Sequence, residues 1–267
     1  MDKAKLMNGV KKYTMIIVLV LVTLFFTWQT GGKILLPQNV SNLISQNAYV
    51  FVLATGMLLC ILTGGNIDLS VGSVVCFAGA VGATLMESKG MNPWAASIMM
   101  LLIGLLIGAW QAFWIAYVHV PPFITTLSGM LVFRGLSNVV LNGLTVSLTN
   151  AGFVKVFGGG AECYIPDFLG GNGFNITCML VGVIACVIYV LVQIKNRMNR
   201  AKKGYEMEAL SAMVIRTVII CAVILVFMFR LAQYKGIPTA LVWVALVVLI
   251  YGYITSKTTT GRYFYAV

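Results

Sequence analysis

The chain has 267 residues, of which 60% are hydrophobic and only 9% are charged, and its formal net charge is +11. A soluble core of this length cannot hide so much apolar surface, so the composition excludes an ordinary soluble globular domain. The basic residues lie beside apolar runs and are not interleaved with aromatic stacking positions, which indicates contact with anionic lipid and excludes nucleic acid as a partner.

Apolar runs recur along the chain, each about long enough to cross the roughly 30 Å hydrocarbon layer as a helix. They are apolar at consecutive positions, which favours helices over the alternating strands of a membrane barrel. We therefore predict an all-α fold, a polytopic transmembrane helical bundle of about eight spans in a single domain over residues 1–267. The predicted spans cover residues 14–28, 48–62, 69–86, 94–118, 123–141, 174–194, 213–232 and 237–255.

The first run follows four lysines and so resembles a secretory signal peptide. No small-x-small cleavage site follows Trp28, which favours a retained signal anchor.

The basic residues predict the orientation, because Lys and Arg accumulate in cytoplasmic loops near span ends. If residues 48–86 cross twice, the cytoplasmic segments hold twelve of the 18 basic residues. A single crossing would move the basic cluster at 195–203 outside, and one helix through 48–86 would be about 58 Å long, nearly twice the hydrocarbon thickness. We predict two crossings, a cytoplasmic N-terminus and a bend at the glycines near residue 65.

The segment 64–73 carries Asp68, the carboxylate that lies within membrane-type sequence. Such a group is costly unless structure or function justifies it. One interpretation is a helix cap, in which Asp68 accepts N–H groups at the start of a helix running from Leu69. The other is that Asn66, Asp68 and Ser70 line a polar route or a switching hinge, as broken helices do in transporters. The two interpretations are compatible.

Three glycines around this acid would permit the bend and a close approach of helices. They are Gly64, Gly65 and Gly72. The orientation places Asp68 in the cytoplasmic half of the bundle, which favours a gate over a binding site at mid-membrane.

Two further segments hold polar or aromatic groups inside predicted spans. Arg134 has either a structural role, bonding carbonyls or reaching an interface, or forms a polar wall of the pathway with Asn138. Trp110 and Trp114 are four residues apart and so share one helical face, which is typical of an aromatic belt, with sugar stacking as the alternative.

Pro121 and Pro122 predict a helix start after a tight cytoplasmic turn, since proline suits the first helical turn. His119, beside them, is interpreted as an interfacial residue. The segment 142–173, which holds Glu162 and Asp167, is either a flexible outer loop or a docking surface for an extracytoplasmic protein.

Several kinds of chemistry have no sequence signal. There is no G-x-x-x-x-G-K-[ST] phosphate loop, so any ATP drive must come from a partner. His119 is the only histidine and the six cysteines show no C-x-x-C spacing, so we expect no catalytic residue, metal site, disulfide framework or cofactor.

Three sequence segments together resemble a known family. They are Gly-Asn-Ile-Asp-Leu-Ser-Val-Gly-Ser at 65–73, Pro-Pro-Phe-Ile-Thr-Thr-Leu-Ser-Gly-Met at 121–130, and Phe-Arg-Gly at 133–135. These look like the membrane permeases of bacterial ABC monosaccharide importers. The basic inner loop at 195–216 and the segment 261–267 fit the xylose and multiple-sugar type better than the ribose type.

The resemblance implies a permease of the bacterial cytoplasmic (inner) membrane that carries out no catalysis itself. It would receive a monosaccharide from an extracytoplasmic sugar-binding protein, work with a cytoplasmic ABC ATPase, and pair with a second permease copy, most simply as a homodimer. In such permeases a Gly-Arg-x-x-Tyr-Ala segment opens a cytoplasmic loop that contacts the ATPase, so Gly261 and Arg262 are predicted to begin the coupling loop. Further spans follow in the family, so the chain looks C-terminally truncated at Val267.

Two rival functions stay open at this level. One is an ion-coupled secondary transporter in which Asp68 titrates during the cycle. The other is a non-transporting membrane scaffold.

Overall fold

The fold comes from a computed structural model, which describes residues 3–157, 163–171, 173–204 and 210–266. Glu162 and Val267, both named above, lie outside the described residues. Within them the chain is helical apart from turns and one isolated antiparallel bridge between Tyr164 and Pro238.

The described helices are numbered in chain order, and a short 3-10 turn, Lys33–Leu35, lies between the first two. They are α1 (Lys3–Gln29), α2 (Pro37–Leu62), α3 (Val71–Glu87), α4 (Pro93–Ala116), α5 (Pro122–Leu141), α6 (Ala151–Phe157), α7 (Ile176–Lys202), α8 (Leu210–Ala232), α9 (Thr239–Lys257) and α10 (Thr259–Ala266).

The all-helical prediction is confirmed for the described residues, and each predicted span coincides with a helix. Six helices are long and apolar enough to cross a membrane, namely α2, α4, α5, α7, α8 and α9. The apolar part of α1, Thr14–Gln29, and the 17-residue α3 are shorter. Eight crossings and the cytoplasmic N-terminus therefore stay predictions.

The helix ends differ from the predicted ends, because the apolar pattern marks only the part of a helix that lipid covers. Helix α2 begins at Pro37 rather than at residue 48, and α7 continues through its basic turns to Lys202 rather than ending at 194. Helix α5 begins at Pro122 with Pro121 as its N-cap, as the proline pair predicts.

The chain divides into two compact units, and α2 contributes to both. The first comprises Met1–Ile44 and Tyr164–Pro238. Its main helix pair is α7 and α8. Gly182 on α7 faces Met228 on α8, and a Cβ at Gly182 would lie 2.9 Å from the Met228 Cβ. Glycine thus permits the close approach of these two helices.

The second unit comprises Ser45–Cys163 and Thr239–Val267. Helix α3 packs against both α4 and α5 through small side chains, including the buried Ala78 and Ala80. A Cβ at Gly82 would overlap the sulfur of Met100 on α4. Small residues along α3 therefore let it pack closely against α4 and α5, and the polar residues of the 64–73 segment lie at its start.

Candidate functional site

The predicted bend is a break in the helix between α2 and α3. Helix α2 ends at Leu62, and Gly64 and Gly65 follow with φ angles of +81° and +75°. The Gly65 N–H donates to the Ile61 carbonyl at 2.8 Å and so satisfies one of the free carbonyls at the helix end. Only glycine adopts two successive left-handed conformations at little cost, so these two residues end the helix.

Asn66 and Gly72 have different local surroundings. The Asn66 side-chain Nδ2 donates to the Thr63 carbonyl at 2.7 Å, so this amide closes the end of α2 and does not contact the acid. Gly72 lies in the first turn of α3 with a helical conformation, and a Cβ there would meet no atom within 4 Å.

The acid lies just before α3 rather than at its cap. Helix α3 begins at Val71 with Ser70 as N-cap, so the predicted start at Leu69 with Asp68 as the cap is wrong. Ser70 has near-helical dihedral angles, and its side chain makes no capping hydrogen bond. Asp68 Oδ1 accepts the Ser70 backbone N–H at 2.8 Å and its hydroxyl at 2.6 Å.

The Ser70 side chain connects this acid to helix α4. Ser70 is completely buried, and Gln111 on α4 is only 5% exposed. Gln111 Nε2 lies 2.9 Å and its Oε1 3.1 Å from the Ser70 Oγ. The single Ser70 hydroxyl proton is directed to the carboxylate, so the hydroxyl accepts from the Gln111 amide. A chain of donors thus runs from Gln111 through Ser70 to Asp68.

Helix α5 packs against the other side of these hydrogen-bonded residues. The Thr126 hydroxyl donates to the Pro122 carbonyl at 2.8 Å and lies 3.3 Å from the Ile67 carbonyl. A Cβ at Gly129 would overlap Gln111 Nε2. We refer to Asp68, Ser70, Gln111, Thr126 and Gly129 as the Asp68 cluster.

The charge of Asp68 is stabilised by neutral donors. Among the residues the structure describes, no lysine or arginine forms an ion pair with this carboxylate. The carboxylate also lies at the N-terminal end of α3, where the helix dipole favours negative charge. A half-buried carboxylate held in this way can accept further hydrogen bonds.

Arg134 and Asn138 lie on a different face of α5 from the cluster. Both are exposed, whereas Phe133 and Ser137 on the same helix are buried. No hydrogen bond or ion pair within the described part of the chain joins Arg134 to Asp68. The structure therefore brings Asp68 and Ser70 together but leaves Arg134 and Asn138 apart from them.

Gly261 and Arg262 lie in α10, directly after α9. Gly261 is buried, its N–H donates to the Thr258 hydroxyl at 3.2 Å, and a Cβ would overlap the Thr255 carbonyl oxygen. Glycine is thus required by the tight turn between the two helices, while Arg262 beside it is exposed.

Gln111, Thr126 and Gly129 are the cluster residues that sequence reasoning did not assign to the site, and Gln111 had a usable signal. Trp110 and Trp114 share one face, as predicted, with ring centroids 6.2 Å apart. The polar amide between them was a usable signal, because a glutamine inside an apolar run needs a hydrogen-bond partner.

Comparison with known proteins gives matches along most of the chain. The profile of the family described as "Branched-chain amino acid transport system / permease component" matches residues 39–267. The xylose transport system permease proteins of Escherichia coli K12 and Haemophilus influenzae are 36% and 33% identical over 96% and 100% of this chain, which covers 62% and 68% of their lengths. The ribose import permease protein of E. coli K12 is 30% identical over 66% of the chain and 68% of its own length. No solved structure matches the chain.

Proposed function

The chain belongs to the permease family of the branched-chain amino acid transport systems, in its ABC sugar-permease branch, and we propose on this basis that it is the membrane-spanning subunit of an ATP-driven monosaccharide importer. The similarity to xylose permeases over nearly the whole chain is the observation that carries this proposal. The ribose relative matches a smaller share, which supports xylose or a related sugar as the substrate.

The partners follow from the same proposal. A cytoplasmic ABC ATPase hydrolyses ATP, an extracytoplasmic binding protein delivers the sugar, and a second permease copy completes the pathway in the cytoplasmic membrane. The chain itself makes and breaks no covalent bond. Its lack of a phosphate-loop motif supports a separate ATPase, since the sequence has no such means of gripping nucleotide phosphates.

Within this subunit we assign the Asp68 cluster to a gate on the sugar pathway. Its position at a break between α2 and α3 supports this role, because discontinuous helices let backbone and side-chain polar groups face a route through the membrane. Gly64 and Gly65 are the hinge, and Gly72, in the first turn of α3, would follow the helix as it moves. Release of the gate breaks the hydrogen bonds that join Gln111, Ser70 and Asp68 and lets α3 move relative to α4.

The remaining predicted positions take separate roles. Asn66 holds the end of α2 and so limits the hinge, as its bond to the Thr63 carbonyl supports. Arg134 and Asn138 face away from the cluster and would line the pathway only where a second copy or another part of the assembly faces them. Gly261 and Arg262 begin the coupling loop, and the exposed arginine is available to the ATPase.

Reconstitution tests the proposal directly. The protein is coexpressed with candidate ATPase and binding-protein genes from its own genome, copurified and placed in lipid vesicles. We expect uptake of radiolabelled xylose or a related sugar that requires ATP, the ATPase and the binding protein together. Accumulation driven by an ion gradient alone would favour the secondary transporter, and failure to assemble with any ATPase would favour the scaffold.

A further inference from the structure

Hydrogen bonds attach the segment 164–171 to other residues of the same polypeptide. The Ile165 N–H donates to the Ile237 carbonyl at 2.9 Å, and the Tyr164 hydroxyl lies 3.0 Å from that of Ser41. Nearby, Asn175 N–H donates to the Ala232 carbonyl at 2.9 Å. These bonds hold the segment against the end of α8 and the start of α7.

The Asp167 carboxylate holds the turn of this segment. Oδ1 accepts the Thr177 hydroxyl at 2.6 Å, the Thr177 N–H at 3.2 Å and the Leu169 N–H at 3.1 Å. Oδ2 accepts the Gly171 N–H at 2.9 Å and the Ile176 N–H at 3.2 Å. The Thr177 hydroxyl and the Gly171 N–H keep the pKa of Asp167 well below its usual range. The carboxylate is therefore ionised and fully partnered.

The tip of the turn carries exposed apolar side chains. Phe168 is 76% exposed and Leu169 is 55% exposed, although the backbone beside them is fixed. The Phe168 N–H donates to the Thr177 hydroxyl at 3.0 Å, which places this backbone at the level of the first turn of α7. Because the turn holds Phe168 and Leu169 in one position, these side chains suit surroundings that remain apolar.

The register of α7 gives the depth of that turn. The first basic residue of α7 is Lys195, and the 19 residues from Ile176 to Ile194 extend about 28 Å at 1.5 Å per residue. This length matches the roughly 30 Å hydrocarbon layer. If Lys195 lies at one boundary of the hydrocarbon, Ile176 and Thr177 lie at the other, and Phe168 lies beside them.

We propose that residues 167–170 form an interfacial wedge that inserts Phe168 and Leu169 into the boundary between headgroups and acyl chains of the bilayer. Aromatic side chains favour this level of the membrane. Asp167 accepts the Leu169 and Gly171 N–H groups and the Thr177 hydroxyl accepts that of Phe168, so three N–H groups of the turn enter the boundary already paired. The wedge does not depend on which sugar is transported or on whether transport occurs.

Photo-crosslinking in phosphatidylethanolamine–phosphatidylglycerol vesicles tests the wedge. Phe168 is replaced by p-benzoylphenylalanine in the purified, reconstituted protein, and illumination should attach one phospholipid, detected as a mass shift of the intact chain. Phe174 is the matched control, because it lies nearby and packs on Phe229 with ring centroids 5.7 Å apart. The same probe there should attach to its own chain. A Phe168 adduct with a partner protein or a second copy, or no adduct at all, would overturn the proposal.

Tryptophan quenching covers the case in which the photoprobe prevents folding. Phe168→Trp keeps an aromatic ring, and brominated phospholipids should cause a roughly two-fold loss of the added fluorescence, because the ring lies at the headgroup level. The signal is the difference from the parent protein, which has five tryptophans. Phe174→Trp should lose clearly less. Quenching of the Phe168→Trp signal by aqueous iodide in place of lipid would refute the wedge.

Discussion

Asp68 is the residue whose charge the proposed gate depends on. Asp68→Asn keeps the size of the side chain and removes the charge, so the bonds from the Ser70 N–H and hydroxyl lose their charge assistance. Bonds to charged groups contribute about 1.5–3 kcal/mol, and we expect sugar uptake to fall by roughly ten-fold, which corresponds to about 1.4 kcal/mol.

The measurement is ATP-dependent uptake at matched expression. Asp167→Asn is the control, since that acid lies in the interfacial wedge outside the gate, and uptake should change much less. Normal uptake by Asp68→Asn in a well-expressed protein would remove the acid from the mechanism.

Gly129 tests whether the close approach of α5 holds Gln111 in place. In Gly129→Ala the new Cβ overlaps Gln111 Nε2, so the amide must move away from Ser70. We expect the free energy of unfolding to fall by about 1–3 kcal/mol, as for other overpacked sites. Thermal unfolding in detergent or nanodiscs measures this loss.

Gly135→Ala is the matched control, because it lies on the same helix and a Cβ there meets nothing within 4 Å. The double variant Gly129→Ala with Gln111→Ala should lose less than the sum of the single losses, since the shortened side chain makes room. Additive losses would mean that the two residues do not interact.

The sequence alone identified residues whose polar or charged groups lie within apolar sequence, where burial costs free energy. An acid in apolar sequence identified Asp68, and its nearness in sequence identified Ser70. Gln111 is 41 positions away from Ser70, and only the packing of α3 against α4 shows that the two side chains meet. Arg134 is as conspicuous in the sequence as Asp68, but its side chain is exposed and lies apart from the cluster, so its role in the pathway stays a prediction.

At the scale of elements, the break between α2 and α3 depends on backbone conformation. Gly65→Ala places a Cβ in open space, so its whole effect comes from the left-handed φ of +75°. We expect a loss of about 1 kcal/mol in unfolding free energy. Gly72→Ala should be neutral or slightly stabilising, because Gly72 has a helical conformation with open space around it.

Thermal unfolding of both variants in the same detergent makes the comparison. A larger loss for Gly72→Ala than for Gly65→Ala would show that Gly72 lies against a partner that the single chain does not contain.

Helices were predictable where lipid requires apolar residues, and less so elsewhere. Helices α6 and α10 were not predicted, because helices of 7 and 8 residues leave no long apolar run. Helix α6 is held by aromatic packing, with Phe157 stacked on Trp243 at 5.3 Å, and the Trp243 Nε1–H donates to the Val156 carbonyl at 2.9 Å. These contacts join residues 86 and 87 positions apart and have no local sequence signal.

At the scale of the whole molecule, the side of the membrane on which each loop lies stays a prediction. Reporter fusions that are active only in the cytoplasm should be active after residue 120 and within 195–204, and inactive within 88–92 and 233–238. This pattern follows from the distribution of lysine and arginine. If the cytoplasmic reporter is inactive within 195–204, and a reporter that works only outside the cytoplasm is active there, residues 48–86 do not cross twice.

The surface of the molecule explains why it needs lipid or protein neighbours. Large apolar side chains are exposed along most of the described helices, and no residue of α9 is buried. In water such faces would drive aggregation. Bilayer lipid and the proposed second copy are surroundings that suit these faces.

In the gate that we propose, the hydrogen-bonded chain from Gln111 to Asp68 would also determine how well a resting permease keeps small ions and water out. A seal made by one bond worth about 1.5 kcal/mol would stand open in roughly one molecule in ten. Two such bonds broken together reduce that fraction to about one in a hundred or less. In such a gate a serine placed between two partners would lower passive leakage more than either contact alone.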